Sequence, residues 1–446
     1  MKRQLSLAAV LLLIFAFAAA FNIHAAKTQP TQIIVPDQYS TIQAAINSAN
    51  DGDTILVRSG TYYEHIVVNK TVTLVGECVN TTIIDGSYIG IVVNVTRDGV
   101  SISVFTIRRS GTTWNIGGPP YGAGIYMRSV TDCTISGNKL IQDAAGIQLE
   151  FGADGNIIAN NTMTGVSLGF GTFDASWNSF TGNNVTSNGR GLGLNVNSDY
   201  NIIADNRITA QEWVIALHAC HNNNIMRNYV ANGQIGIYLP DSSDNRVYHN
   251  QIVNNTQQAS LQGFPSHLNY WDDGYPSGGN YWSNYEGSDL SKGVYQNDTG
   301  GDCIGDSAYA IDMDNQDNYP LMIPFGGLLG DVNGDGYVGI DDIFSVASRF
   351  GKERGDPVYL RSCDLNGDGY IGVDDIFTTA SHFGQQPGDP QWGPIYDLTD
   401  DDYLGIDDIF TAALYIGQEE SPQSVCQFPF SATRHSHWLP TAEGLR

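Results

Sequence analysis

The sequence has little positive charge. Its 446 residues include 21 Lys or Arg against 47 Asp or Glu, which gives a formal net charge of −26. Such a chain repels polyanions, so nucleic acid is excluded as a partner. Charged residues make up only 15% of the chain while glycine reaches 50 residues. This composition is typical of turn-rich β proteins and disfavours an all-α fold.

Long apolar runs are lacking after the first residues. Lys2-Arg3 precedes the apolar run 5–21 and a set of small residues, a pattern typical of a secretory signal peptide. We expect residues 1–26 to be removed and the protein to be secreted, extracellular or at the cell surface. An uncleaved anchor is the alternative. The six cysteines allow up to three disulfides in a secreted chain, and the sequence does not choose their pairing.

A repeat of about 22 residues occupies the middle of the chain. Between residues 131 and 253 a motif with two asparagines, five residues apart, returns at steps of 22 or 23. The second asparagine of each copy stands at Asn138, Asn161, Asn183, Asn206, Asn228 and Asn250. No coil of this length can bury its own apolar side, so the copies must stack. We expect the asparagines to form ladders at a bend, where this residue also tolerates left-handed backbone angles.

Each copy carries a second short strand with apolar residues at alternate positions. We place these strands at Ile147-Gln148-Leu149, Val166-Ser167-Leu168, Leu192-Gly193-Leu194, Ile215-Ala216-Leu217 and Ile237-Tyr238-Leu239. Alternation predicts that the first and third residues of each strand point inward. Upstream, residues 40–46 predict a short amphipathic helix that closes the open end of the stack.

The chain resembles the right-handed parallel β-helix proteins of the pectin-lyase-like superfamily. The opening TIQAAINSANDGDTILVRSGTYYEHIVVNKTVTLVGE is similar to their N-terminal cap and first coils. The stretch 279–322, from GNYWSNYEGSD to DNYPLM, is similar to the end of the NosD-type family. That family is linked with copper-site maturation and is also described as carbohydrate-binding and sugar-hydrolysis modules. The resemblance implies a parallel β-helix over residues 33–325.

Catalytic signatures of polysaccharide-cleaving β-helices are missing from the coils. What remains is a column just after the second strand, where alternation points side chains outward, formed by Glu150, Asn195 and His218. A carboxylate pair for acid and base work needs a separation of roughly 5–9 Å. The candidate catalytic acids are Glu150, Asp174 and Glu212, and the candidate sugar platforms are Trp114, Trp177 and Trp213. Scattered surface polar groups are the alternative interpretation.

Two further groups carry metal-binding residue types. His218-Ala219-Cys220-His221 combines imidazole and thiol, which suit copper or zinc. However, a strand also places a buried thiol beside an exposed imidazole without any metal. The Asp-rich segment 298–317 has oxygen ligands for Ca²⁺ at irregular spacing, and we interpret it as a C-terminal cap of the stack.

The composition changes after Phe325-Gly326-Gly327. Residues 331–420 contain 19 acidic and 4 basic residues, a net charge of −15. Within them DVNGDGYVGIDD, DLNGDGYIGVDD and DLTDDDYLGIDD follow one another at a period of 33 residues. Oxygen ligands at positions one, three, five, seven and twelve, with a sharp turn at six, predict Ca²⁺ loops. The predicted ligands are Asp331, Asn333, Asp335, Tyr337 and Asp342, then Asp364, Asn366, Asp368, Tyr370 and Asp375, and in the weaker third loop Asp397, Asp401, Tyr403 and Asp408.

Each loop runs directly into one short predicted helix, and no comparable helix precedes it. A Ca²⁺ loop with a closing Asp, followed by a single helix and repeated in tandem, resembles a type I dockerin. The resemblance implies docking onto a cohesin-like module or surface scaffold through Ile340-Asp341 and Val373-Asp374. Three copies at this spacing depart from the usual two. A Ca²⁺-rigidified spacer without a partner is the alternative, and residues 418–446 are expected to form a flexible tail.

Together these features predict an all-β right-handed parallel β-helix, plus a small α-helical calcium-binding dockerin-like domain at residues 330–417. We expect a protein that binds polysaccharide and is anchored through the calcium domain. The alternatives are a polysaccharide lyase or glycoside hydrolase and a structural or adhesive surface protein.

Overall fold

A computed structural model describes residues 30–113, 122–261, 267–325, 340–354, 356, 363–365 and 369–381. These described residues fall into two compact units, one within 30–325 and one within 340–381. The predicted signal peptide, Trp114, the third calcium loop and the tail lie outside them.

The first unit is an all-β parallel solenoid of about ten turns, and each turn has three limbs. The first limb forms a ten-stranded sheet. Its strands are Gln32–Val35, Thr54–Val57, Thr73–Gly76, Ser101–Ser103, Thr134–Ser136, Ile157–Ala159, Ser179–Thr181, Ile202–Ala204, Asn224–Met226 and Arg246–Tyr248.

The second and third limbs share one seventeen-stranded sheet, because two long strands run through the bend between them. Second-limb strands are Gly60–Tyr62, Thr82–Asp85, Thr106–Arg108, Lys139–Ile141, Arg207–Thr209, Tyr229–Ala231, Gln251–Val253 and Tyr281–Trp282. Third-limb strands are Ile66–Val68, Ile91–Val95, Ala123–Arg128, Ala145–Glu150, Trp213–His218, Ile235–Tyr238 and Gln257–Ser260. Thr162–Phe173 and Asn184–Asn195 supply both limbs.

The repeat places equivalent apolar residues above one another inside the coils. In the first limb Ile135 pairs in register with Ile158, which pairs with Phe180, and all three are fully buried. Pairing at roughly 4.8 Å per coil gives each inward side chain a like neighbour above and below, so the core is one continuous stack.

The asparagines form two ladders, as predicted. Asn183 donates its side-chain Nδ2 to Asn206 Oδ1 over 3.0 Å and its backbone N over 2.9 Å, and this pattern repeats along the coils. One ladder ends on Asp317 and the other on Asp312, whose carboxylates accept the last amides. The ladder asparagines themselves do not have left-handed backbone angles. From Asn138 to Asn250, the residue just before each ladder asparagine has a positive φ, for example Asp205 at 58°.

The predicted cap helix, α1 (Ile42–Ser48), is confirmed. Thr41 is its N-cap and accepts the N–H of Ala44 over 3.1 Å. The carboxylate of Glu64 accepts the N–H groups of the first two helical residues, Ile42 and Gln43, over 3.0 Å each. These bonds satisfy donors that a helix leaves open at its start, while the buried face of α1 closes the core at this end.

One predicted strand was placed out of register. Ile147 pairs with Phe170, and Phe170 with Leu192, so the third-limb copy is Phe170-Gly171-Thr172 and not Val166-Ser167-Leu168. Leu168 lies in a separate apolar cluster with Ala145 and Tyr126. Because apolar residues alternate from 166 to 170, the pattern alone does not decide the register.

The solenoid ends in an aromatic and acidic cap. Two short hairpins, Ser291–Lys292 with Asp298–Thr299 and Tyr309–Ala310 with Gln316–Asp317, lie beyond the last coil. Tyr309 stacks on the buried Trp282 at 4.2 Å between ring centroids.

The second unit contains α2 (Ile340–Ala347) and α3 (Val373–Ser381), which agree with the predicted helices after the first two loops. Val346, Cys363 and Ile371 form its small core. Within the described part of the chain, no helix has the length and apolar character needed to cross a membrane.

Candidate functional site

The polar column predicted at the end of the third limb is present. Glu150 pairs in register with Phe173, Phe173 with Asn195, and Asn195 with His218. Arg128 stands at the same position on the coil before Glu150. The strand period and the repeat therefore align these side chains along one edge of the solenoid.

Glu150 faces outward but is fully buried, which the sequence did not predict. Its carboxylate accepts the hydroxyl of Tyr126 over 3.1 Å and the amide of Gln148 over 2.5 Å. Burial, and then the charge of Glu150, raises the pKa of Tyr126 to about 12, so this phenol remains a hydrogen-bond donor at neutral pH. The carboxylate is thus held by neighbours on its own face of the sheet.

The three candidate acids do not converge. Asp174 lies on the coil after Glu150, one residue past its register partner, and is exposed at a φ of 51°. Glu212 begins the third limb and forms an ion pair with Arg190 at 3.2 Å. It lies six residues before His218, or roughly 20 Å along the limb, and its coil is three steps from that of Glu150. The structure therefore brings Glu150 and Asp174 to neighbouring coils and excludes Glu212 from a carboxylate pair of roughly 5–9 Å.

Trp213 is a poor sugar platform, contrary to expectation. The Arg190 guanidinium lies 4.0 Å from its ring centroid, and the Tyr238 ring lies against it at 4.7 Å. Both neighbours occupy ring surface that a sugar would need. We assign Trp213 a packing role on the outer face of the third limb.

Trp177 forms an exposed aromatic platform together with Tyr200. The two rings stack at 4.3 Å with an interplanar angle of 6°, and the residues are 64% and 45% exposed. They occupy the same bend position on successive coils, between the third limb and the next first limb. Trp177 was predicted from the sequence as a sugar platform and Tyr200 was not, although their 23-residue separation matches the repeat.

The platform stands at a conformationally unusual position. Trp177 and Tyr200 have φ of 62° and 57°, where neighbouring coils carry Gly155 and Asn222. Bulky residues are rare at such angles and tend to be held there at functional sites. A side chain at Gly155 would meet nothing within 4 Å. The coil before Trp177 thus leaves open space next to the stack.

The His218–His221 segment does not fit a copper site. Cys220 lies inside the coil, donates its thiol to His218 O at 3.3 Å, and burial raises its pKa to about 12. His218 is exposed, and His221 Nδ1 is hydrogen-bonded to Ser243 at 3.0 Å. A copper site built from this segment would need Cys220 as an accessible thiolate and imidazoles that converge on the same point. Throughout the described ranges, no three His, Cys, Asp or Glu residues form a group that could hold a metal ion.

The Asp-rich cap uses its carboxylates to hold backbone. Asp289 accepts the N–H groups of Asp302 and Cys303 over 2.9 Å each, and Asp306 accepts those of Leu290 and Ser291. Among the cysteines within the described ranges, Cys78, Cys133, Cys220 and Cys303 are free thiols.

In the described part of the second predicted Ca²⁺ loop, two carboxylates accept backbone N–H groups of the loop itself. Asp364, at position one, accepts the N–H of Gly369 at position six over 3.0 Å, and Gly369 has a φ of 88°. Asp375, at position twelve, is buried and accepts the N–H groups of Leu365 and Gly372 over 2.7 Å each. The two carboxylates that begin and close the loop are thus fixed by its backbone. Asn366 and Asp368, and the ligands of the first loop before Asp342, lie outside the described residues.

The predicted docking residues lie at helix starts. Ile340 and Asp341 are the first residues of α2, and their side chains are outside the described set. Val373 and Asp374 begin α3 and are exposed, Val373 by 59%.

Three solved structures are similar to the chain at low identity. An alginate lyase from Paenibacillus sp. str. FPU-7 is 13% identical with a TM-score of 0.36, covering 54% of this chain and 98% of its own. The A-module of the Azotobacter vinelandii mannuronan C-5 epimerase AlgE6 is 14% identical with a TM-score of 0.35, covering 49% and 73%. Pectin methylesterase PemA from Erwinia chrysanthemi is 12% identical with a TM-score of 0.31, covering 53% and 82%. TM-scores this low carry no inference about the activity of this chain.

No curated protein matches the sequence. A family model described as periplasmic copper-binding protein (NosD) matches residues 46–287, which is 242 of the 446 residues. This match covers more than half of the chain, from within the cap helix through the last second-limb strand, so the chain belongs to the NosD family.

Proposed function

We propose that this protein acts outside the cytosol as a polysaccharide-binding β-helix, held to a partner through its calcium-loop domain. The observation that carries the binding role is the exposed Trp177–Tyr200 stack. The two rings form a flat aromatic surface that is exposed to solvent at a strained backbone position. Such a surface indicates a contact site for a ligand. The apolar C–H face of a sugar ring is such a ligand.

Polar groups beside the platform suit sugar hydroxyls. Asp154 accepts the N–H of Ser176 over 2.7 Å, and Asp199 accepts that of His221 over 2.6 Å. Each of these bonds uses one carboxylate oxygen and leaves further acceptor capacity at the bend. Because the coils repeat at roughly 4.8 Å, such groups form rows along the solenoid, a geometry suited to an extended polymer.

The anchoring role rests on the second unit. Asp364 and Asp375 would hold Ca²⁺ together with the loop residues between them, and the ion would supply the charge balance that a dense acidic loop lacks. Val373 and Asp374, exposed at the start of α3, form the docking surface toward a cohesin-like module or other surface scaffold. Copper binding, which the family description names, is not part of the proposal because the candidate ligands do not converge.

A second candidate function is cleavage of the same polysaccharide. It is favoured by Glu150 and Asp174, which lie on neighbouring coils, one buried and one exposed, with Asp174 three residues before Trp177. New reducing ends or unsaturated products from a panel of acidic and neutral polysaccharides would establish it. If Glu150→Gln and Asp174→Asn both left such an activity unchanged, this assignment would be wrong.

The binding role is tested with the mature full-length chain on immobilised polysaccharides. Trp177→Gly and Tyr200→Asn introduce the residues that neighbouring coils carry at the same bend, so the backbone angles are retained. We expect each variant to lose most of the binding while unfolding at the wild-type midpoint. Tyr295→Ala, which removes an 84% exposed aromatic from the C-terminal cap, is the matched control. Equal binding by the platform variants and this control would refute the proposal.

A further inference from the structure

A small cleft lies on the second limb, at the bend that joins it to the first. Its floor is a column of Arg207, Tyr229 and Gln251 on three successive coils. Phe325 covers one side by stacking on His249 with ring centroids 3.4 Å apart. The cleft is open to solvent, and its volume of about 240 Å³ is below the roughly 300–1,000 Å³ of drug-sized sites, so it suits one sugar unit or its substituent.

The cleft carries one uncompensated positive charge. Arg227 is neutralised by Asp205, whose two oxygens accept from Nε at 2.8 Å and from Nη2 at 2.9 Å. Arg207 is exposed and lies 3.9 Å from the centroid of the Tyr229 ring. Over the described ranges of the chain, no carboxylate lies within ion-pair distance of Arg207.

In a chain with 47 acidic and 21 basic residues, most arginines of the described coils pair with a carboxylate, and Arg128, which lies over the Phe151 ring, is the other exception beside Arg207. In the same unit Arg58, Arg97, Arg190 and Arg246 each pair with a carboxylate. The contact with the Tyr229 ring, at 3.9 Å from the Arg207 guanidinium carbon to the ring centroid, restricts this side chain, and none of the N–H groups of the planar fork is used in an ion pair. A planar fork of this kind binds a carboxylate through two parallel hydrogen bonds.

The net charge of the chain does not prevent an anion from binding here. Residues 331–420 carry −15 of the total −26. Fields from charges beyond about 8–10 Å are largely screened at physiological salt. The charges that line the cleft are those of two arginines and Asp205. They therefore determine the charge of the ligand that the cleft binds.

We propose that this cleft binds the carboxylate of an acidic sugar unit, with Arg207 as the specificity-determining residue. The inference rests on the proposed polysaccharide-binding function and deepens it, because it selects polymers of uronic acids over neutral ones. Arg207 receives the carboxylate, and Gln251 and Tyr229 line the space that the sugar ring occupies.

The experiment is calorimetric titration of the mature full-length chain with three hexasaccharides, one of galacturonic acid, one neutral xylan fragment and one sulfated galactan. We expect the uronate to bind tightest and Arg207→Gln to weaken it roughly 10- to 100-fold, the worth of a charged hydrogen-bonded pair. The affinity for the neutral xylan fragment should be the same in Arg207→Gln and in the wild type. Arg207→Lys keeps the charge and loses the planar fork, so it should restore only part of the affinity.

Arg97→Gln is the matched control, since it removes the same charge at an exposed ion pair on an early coil. Uronate affinity equal in Arg207→Gln and Arg97→Gln would overturn the inference while leaving polysaccharide binding in place. Tighter binding of the sulfated fragment would overturn the carboxylate assignment. Absence of binding to all three fragments would instead refute the proposed function, and the inference with it.

Discussion

Truncation of one ladder asparagine, Asn206→Ala, is expected to destabilise the solenoid strongly. The side chain of Asn206 is buried and makes four hydrogen bonds. Its Nδ2 donates to Phe180 O over 2.8 Å and to Asn228 Oδ1 over 2.9 Å. Its Oδ1 accepts the backbone N of Asn183 over 2.9 Å and the Nδ2 of Asn183 over 3.0 Å.

The magnitude follows from what the truncation leaves behind. The Asn183 backbone N–H remains buried without its acceptor, which costs about 1–3 kcal/mol. Each of the other three bonds contributes roughly 0.5–1.5 kcal/mol. The free energy of unfolding should therefore fall by about 3–7 kcal/mol, a large part of the 5–15 kcal/mol typical of a domain. Because coils contact only their neighbours, the loss should be greatest in the coils next to residue 206.

The assay is chemical denaturation followed by circular dichroism, with hydrogen exchange to locate the weakened coils. Asn184→Ala is the control, because Asn184 is exposed on the second limb and its truncation should cost less than about 0.5 kcal/mol. A difference below about 1 kcal/mol between the two variants would refute the view that the ladder amides are essential bonds of the stack.

Three further predictions concern acidity, calcium and the third-limb aromatics. Burial raises the pKa of Asp143 to about 8 from an ordinary 3.8. The protonated Asp143 side chain therefore contributes its full stability below the ordinary pKa, and this contribution is lost as the pH rises through about 8. Asp143→Asn should therefore show a smaller drop in unfolding midpoint from about pH 5 to about pH 9 than the wild type, and equal drops would contradict this. Calcium removal by a chelator should expose residues 330–417 to proteolysis and leave the coils intact, whereas unchanged protease resistance of this region would rule out the calcium loops. Trp213→Ala should lower the unfolding midpoint and spare polysaccharide binding, and a loss of binding with unchanged stability would show that Trp213 is a platform after all.

The repeat determined most of the fold. Steps of 22 and 23 residues between asparagines and a cap helix beginning after Thr41 were visible in the sequence because both depend on local spacing. Apolar residues such as Ile135, Ile158 and Phe180 could be assigned to the interior for the same reason. A stack of similar coils turns a one-dimensional period directly into a three-dimensional contact.

The register of the Gly-rich third limb was decided only by the folded coils. The apolar alternation from Val166 to Phe170 is compatible with two registers, and pairing with Ile147 and Leu192 on the neighbouring coils selects one. The positive φ of the residue before each asparagine of the repeat could likewise not be predicted from the sequence, because Gly, Asp, Arg and His all occupy that position.

The sequence determined which residues carry the chemistry, and the tertiary structure decided which of them are available for it. Glu212 and Trp213 have suitable side chains, yet Glu212 lies far along the limb from Glu150 and the ring of Trp213 is covered by Arg190. Tyr200 gains its role only by stacking on Trp177, and Arg207 only because no carboxylate of the described coils reaches it. The reason is physical: a repeat specifies which positions share a column, whereas exposure and charge pairing depend on side chains from other coils that the local pattern does not contain.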